Sequence, residues 1–257
     1  MNTLRVTLQN ADTAVKFDWD YPSDDNGDQV NEYLIEFKDS TDAYLPYTPS
    51  CDGADPTIVS NRYCYVEMAV LRAPPYSLSK GEKIVARAMA KNIKGFNDTW
   101  SPTTLTDFEL VVETEPDAPA APFKGADTKY NVLHTYWTMF TDFTVASGGV
   151  KSAILSYHLQ RNAGNNTDPD VATDTWTDLN GLSPLSLVND FQTSENIVGG
   201  TTYRVRVRAL NKHGWSEFGE FFSIRCARAP DVTSWITTAN STTFFYLNWF
   251  LPFNGGL

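Results

Sequence analysis

Histidines, paired carboxylates and cysteines are what a catalytic or metal-binding centre is built from, and this chain of 257 residues holds few of them together. It has three histidines: His134, His158 and His213. His134 and His158 sit in strand-like stretches whose neighbours are the inward residues, and His213 lies in the turn Asn211-Lys212-His213-Gly214. No Gly-x-Ser-x-Gly, phosphate-binding loop or His-Glu-x-x-His occurs. With no nucleophile or second base at a matching spacing, each is expected to be an ordinary surface histidine. The loop Asp24-Asp25-Asn26-Gly27-Asp28 carries oxygen ligands of the kind calcium takes. It lacks the later bidentate glutamate and the regular spacing of a calcium loop, so a solvated turn is expected. No catalytic residue, metal site or cofactor follows, and the chain is expected not to be an enzyme.

Cys51 and Cys64 are 13 residues apart, and Cys226 stands alone. One pair plus an odd cysteine fits an oxidising compartment with one bridge, and it also fits three free thiols. The bridge is the favoured reading, because the pair is local and the segment around Cys51 has few other anchors. Closing that loop contributes about 3 kcal/mol on the chain-entropy model. Asn97, Asn165 and Asn240 head Asn-x-Ser/Thr triplets in expected loops, which suits N-glycans. With 18 Asn and 45 Ser or Thr, about three such triplets arise by chance, so only their placement carries weight. Arg204, Arg206 and Arg208 alternate with Tyr203, Val205 and Val207, and Trp215 follows a short turn. Trp215 is expected to fold back onto the arginine face as a structural ladder, each cation–π contact contributing about 0.5–1 kcal/mol. Glu217 and Glu220 are expected to offset its charge.

The elements that must hold these residues show first in composition. Hydrophobic residues make up 42% and aromatics 13%, which marks a globular chain. The apolar runs fall short of the roughly 18–20 residues a membrane span needs. A net charge of −11 argues against phosphate recognition, and so against nucleic acid and anionic membrane surfaces.

An internal repeat then sets the organisation. Trp19 and Trp249 end apolar-alternating stretches and Trp137 ends the stretch Tyr130 to Trp137, at spacings of 118 and 112 residues. Val30-Asn31-Glu32-Tyr33-Leu34-Ile35 has a counterpart in Ile154-Leu155-Ser156-Tyr157-His158-Leu159. Ile84, Ala86, Ala88, Ala90, Asn92 and Gly95 match Tyr203, Val205, Val207, Ala209, Asn211 and Gly214 at a constant offset of 119. Asn26-Gly27 and Gly148-Gly149 supply the turns. Cys64 to Val70 reads as one strand, and no stretch of helical period competes, so the fold class is all-β.

The pattern Leu-x-x-Gly-x-x-Tyr-x-Val-x-Val-x-Ala-x-Asn-x-x-Gly, preceded by a Trp strand and a Tyr strand, resembles the fibronectin type III family over nearly the whole chain. Ile84 replaces the tyrosine in the first copy. The resemblance implies tandem immunoglobulin-like β-sandwiches with Trp19, Trp137 and Trp249 as core tryptophans between two sheets. The Arg204, Arg206, Arg208 and Trp215 group resembles the Trp-Ser motif of cytokine-receptor modules without its second Trp-Ser. Proline clusters near 113–122 and 228–231 divide the chain into modules 1–114 and 115–228, and 229–257 reads as the first strands of a truncated third. Long connections at 39–61 and 162–184 are expected as loops. The implied role is a structural or adhesive segment outside the cell or on its surface. Its partners are other protein modules, or copies of itself in a filament or coat. A receptor ectodomain with a ligand at the module junction, accessory modules of a larger enzyme, and a cytoskeletal or ciliary array are the competing readings.

Overall fold

The computed structural model describes residues 4–8, 13–101, 110–164, 175–230, 235–240, 243, 245–249, 251–253 and 255. Compactness divides the chain into two units. One comprises Met1–Pro116 with Thr141–Ala153 and Asn211–Gly214, and the other comprises Asp117–Phe140, Ile154–Leu210 and Trp215–Leu257.

Strands β1 (Leu4–Leu8), β2 (Ala14–Trp19), β3 (Glu32–Lys38) and β4 (Tyr44–Pro46) open the chain. Helices α1 (Thr48–Cys51) and α2 (Pro56–Asn61), strand β5 (Tyr63–Glu67), helix α3 (Met68–Arg72) and strands β6 (Ala86–Asn92) and β7 (Gly95–Phe96) follow. Two antiparallel sheets result, in the orders β1-β2-β5 and β4-β3-β6-β7. Alternation puts Val15, Phe17 and Trp19 of β2 inside, facing Tyr33, Ile35 and Phe37 of β3. Phe17 meets Phe37 edge-on at 4.7 Å, and Trp19 meets Tyr33 at 5.3 Å. The inward residues of β6 are Ala86, Ala88 and Ala90, and these small side chains leave room for the aromatics. Ile84 is buried where the second copy has its tyrosine, and the buried Tyr76 donates its hydroxyl to Pro46 O at 2.8 Å.

The second set comprises β8 (Phe123–Lys124), β9 (Leu133–Tyr136), β10 (Ser156–Asn162), β11 (Trp176–Asn180), β12 (Asp190–Thr193), β13 (Thr202–Asn211), β14 (Gly214–Trp215) and β15 (Phe222–Arg225). Its sheets run β12-β9-β8 and β11-β10-β13-β14, with β15 also on β13. Each strand from β1 to β7 thus has a counterpart seven strands later, in the same pairing order. Trp137 and Tyr157 pack at 6.2 Å. Leu179 touches both apolar clusters of this sandwich, one around Leu133, Tyr203 and Val205, the other around Trp137, Leu159 and Val207. The Tyr203 hydroxyl accepts from Val198 N at 2.7 Å and so ties the approach to β13 back onto its own ring. Strands β16 (Trp235–Asn240) and β17 (Phe245–Trp249) form an antiparallel hairpin.

Three expectations need correction. The strand from Cys64 stops at Glu67, and Met68–Arg72 is a helical turn, because Met68 and Leu71 are buried three residues apart. The segment 39–61 is not plain loop: it holds β4, α1 and α2, and Asp55 caps α2 by accepting Thr57 N at 2.6 Å. Within 162–184, residues 176–180 form β11. Cys51 of α1 and Cys64 of β5 are joined by a disulfide.

Trp19 is 2% and Trp137 1% exposed. Replacing either with alanine is expected to cost about 3–5 kcal/mol in urea unfolding, since a large void is left between two sheets. A loss below about 1 kcal/mol would mean that the ring does not fill the core.

Candidate functional site

The outer face of β13 carries the chemistry that the inner face excludes. Arg206 lies between two rings, 3.8 Å from Trp176 on β11 and 4.0 Å from Phe218 after β14. Its Nε and Nη2 donate to Gln160 Oε1 on β10 at 3.0 and 2.8 Å. Arg208 stands 4.8 Å from Trp215 and 4.6 Å from Phe218, and Arg204 4.6 Å from Phe221. A planar guanidinium suits this stacking, because its face meets the rings while its edge keeps its donors.

The first sandwich has the same device, which inspection of the sequence alone missed. Arg87 on β6 lies 4.0 Å from Tyr44 and 3.8 Å from Trp100. Its Nε donates to Glu36 Oε2 at 2.8 Å. Register shows the equivalence: Lys38 pairs with Tyr44 as Asn162 pairs with Trp176, and Glu36 pairs with Arg87 as Gln160 pairs with Arg206. Arg87 and Arg206 are separated by the same 119 residues as the inward positions, so the signal was present in the repeat.

The histidines are not surface residues, which corrects the expectation above. His158 is 0% exposed. Its Nε2 lies 2.8 Å from Asp178 Oδ1, and its Nδ1 lies 3.0 Å from Arg208 Nε. An arginine Nε only donates, so Nδ1 accepts and Nε2–H donates to Asp178. Burial holds the His158 pKa below its ordinary value, against the opposing pull of Asp178. The Asp178 carboxyl is held low, first by its bond from Gln160 and then, against some burial, by His158. His134 Nε2 lies 2.9 Å from Asp190 Oδ1, and its Nδ1 accepts Asp127 N at 3.0 Å. The His213 side chain is buried beside Glu113. Both ring nitrogens of His134 and of His158 are engaged, and the Asp178–His158 pair orients Arg208.

The acidic turn folds back on itself. Asp24 Oδ1 accepts Asn26 N at 2.8 Å and Asp25 Oδ1 accepts Gly27 N at 3.0 Å, with Asn26 and Gly27 at φ of 58° and 81°. Asp24, Asp25 and Asn26 of this turn, with residues 90–92 and 94–98, line an open cavity of about 300 Å³. Among the described residues no group of three or more His, Cys, Asp or Glu is placed to hold a metal ion. Cys226 is a buried, unbridged thiol whose pKa burial pushes up to about 11. Asn97 Oδ1 accepts Ala90 N at 2.8 Å, and its Nδ2 donates to Thr99 O. Asn165 falls outside the described residues, as do the side chains of Asn240, which ends β16, and Trp249. No helix among the described residues is long and apolar enough to cross a membrane.

Arg206→Met keeps the bulk and removes the charge. It is expected to lower unfolding free energy by about 1–2 kcal/mol, with Arg206→Lys recovering only part. Equal stability of Arg206→Met and the parent chain in urea would show that the stack contributes nothing. The lowered His158 pKa means that the unfolded chain binds more protons around pH 6.5, so stability must fall as pH drops through that value. Melts from about pH 7.5 to about pH 5 should show a smaller drop for His158→Gln than for the parent.

No family model matches the chain. Among solved structures, it is similar to titin domains A168–A170, at 16% identity over 83% of this chain and 57% of that one, with a TM-score of 0.39. The chain thus spans little more than half the length of that fragment. It is also similar to the chicken CNTN1 FN1–FN3 domains, at 16% identity over 97% of this chain and 74% of that one, with a TM-score of 0.35. A human fourth FNIII domain is 17% identical over 48% of this chain and 88% of that one, with a TM-score of 0.35. The pairing order observed twice, three strands against four with the third strand on the sixth, makes the fold a tandem of fibronectin type III-like β-sandwiches.

Proposed function

We propose that the chain is a non-enzymatic spacer and adhesive segment that works outside the cell or at its surface. Modules 1–114 and 115–228 serve as stiff β-sandwich units, and 229–257 opens a further one. Neighbouring protein modules, including copies of the same chain in a filament or coat, are the partners. N-glycans are carried at Asn97, Asn165 and Asn240.

The observation that supports this most is how the outer faces are used. Side chains that an enzyme would leave poised in a cleft are engaged with one another across neighbouring strands, as in Asp178–His158–Arg208 and Glu36–Arg87. A cross-braced face of this kind suits a spacer, because it resists shear between strands. The Cys51–Cys64 disulfide favours an oxidising compartment.

Crosslinking the protein in place in its native source, then peptide mapping without reductant, tests both halves. The expected result is a linked Cys51–Cys64 peptide, glycan mass on the three asparagines, and crosslinks to other modules or other copies. Free thiols at both cysteines with bare asparagines would remove the extracellular placement, and a chain recovered with no crosslinked neighbour would remove the adhesive role.

A further inference from the structure

The first compact unit includes two segments from far along the chain, 141–153 and 211–214, and one buried carboxylate gathers them. Glu113 is 1% exposed. Its Oε2 lies 2.7 Å from Lys212 Nζ and 3.4 Å from His213 Nε2, and it accepts from Ser152 Oγ at 3.2 Å. Its Oε1 accepts Lys151 N at 2.7 Å. The next residue continues the pattern. Thr114 N donates to Gly148 O at 2.9 Å, and Asn211 Nδ2 donates to Thr114 O and Ser147 O, both at 2.8 Å. Glu115 is fixed to α3 by a two-pronged bond from Arg72, at 3.2 and 2.6 Å.

The cradle is shaped to the carboxylate. Gly149 has φ +148°, and a Cβ there would stand 2.5 Å from Glu113 Cγ. A larger residue at 149 would be strained in backbone and would also collide with the glutamate. We propose that Glu113 is a charge-operated latch that fastens segments 141–153 and 211–214 into the first unit and releases them when its carboxylate is neutralised.

The titratable groups facing Glu113 are Lys212 and His213; Lys151 contributes its main-chain N–H, and nearby Glu115 is matched by Arg72. Burial by itself pushes the Glu113 pKa up, but the bonds from His213, Lys212 and Lys151 N outweigh it and hold it at about 2. A carboxyl with a depressed folded pKa adds stability that is complete above its ordinary value and lost as pH falls through the folded one. The latch is therefore closed at neutral pH and opens in acid.

Hydrogen exchange on the full chain tests this. In Glu113→Gln at neutral pH, peptides covering 143–152 and 211–214 should exchange about tenfold faster or more, while amides of β3 and β6 keep parent rates. The parent should show the same local acceleration as pH falls from about 5 through about 2, after correction for intrinsic rates, and Glu113→Gln should not. Lys212→Met should fall between the two at neutral pH; should Glu113→Gln not fold, this variant and the parent pH series decide. Acceleration spread evenly over the chain, unchanged rates in the two segments, or an equal acid response in the Gln variant would each overturn the latch.

Discussion

Two stacked β-sheets leave between them a slab about 10 Å deep that inward side chains must fill, mostly with apolar surface. In each sandwich here the largest buried side chain is a tryptophan at the end of the second strand, Trp19 closing β2 and Trp137 directly after β9, with a tyrosine from the third strand against it. The other inward positions adjust to that ring. The first sandwich lines its sixth strand with alanines and adds Tyr76, whereas the second uses Tyr203, Val205 and Val207. Equivalent inward positions are filled by different residues, so the pairing order recurs while side-chain identity drifts.

The outer faces obey a second constraint. A strand whose inner positions are all apolar can carry charge only on its other side, and several arginines side by side repel. Here the Phe218 ring faces both Arg206 and Arg208, and guanidinium groups are tied to a neighbouring strand. Arg87 is tied to Glu36, Arg206 to Gln160 and Arg208 to His158. Such contacts are worth little singly at a surface, but they link neighbouring strands laterally.

What could be read from the residues follows from these two constraints. The inner faces were legible because alternation and a 119-residue offset survive in Ala86, Ala88 and Ala90 against Val205, Val207 and Ala209. The short helices were not, since α1, α2 and α3 are too short to show a helical period and are held by tertiary packing and the disulfide. The burial of His158 was hidden because it lies on the outward side of β10 and is covered by Trp215 and Phe218 from a later segment. Glu113 was illegible for a similar reason. It stands in an acidic, proline-rich stretch that reads as a connection, and its partners lie far away in sequence.

The central claim is that one tryptophan closes each sandwich. Fluorine NMR of 5-fluorotryptophan protein, each line assigned by single Trp→Phe variants, tests it most directly. With a soluble paramagnetic probe, the Trp19 and Trp137 lines should keep their relaxation rates and become sensitive only on unfolding. Lines from either residue that broaden in the folded protein as a solvent-facing indole does would contradict the account.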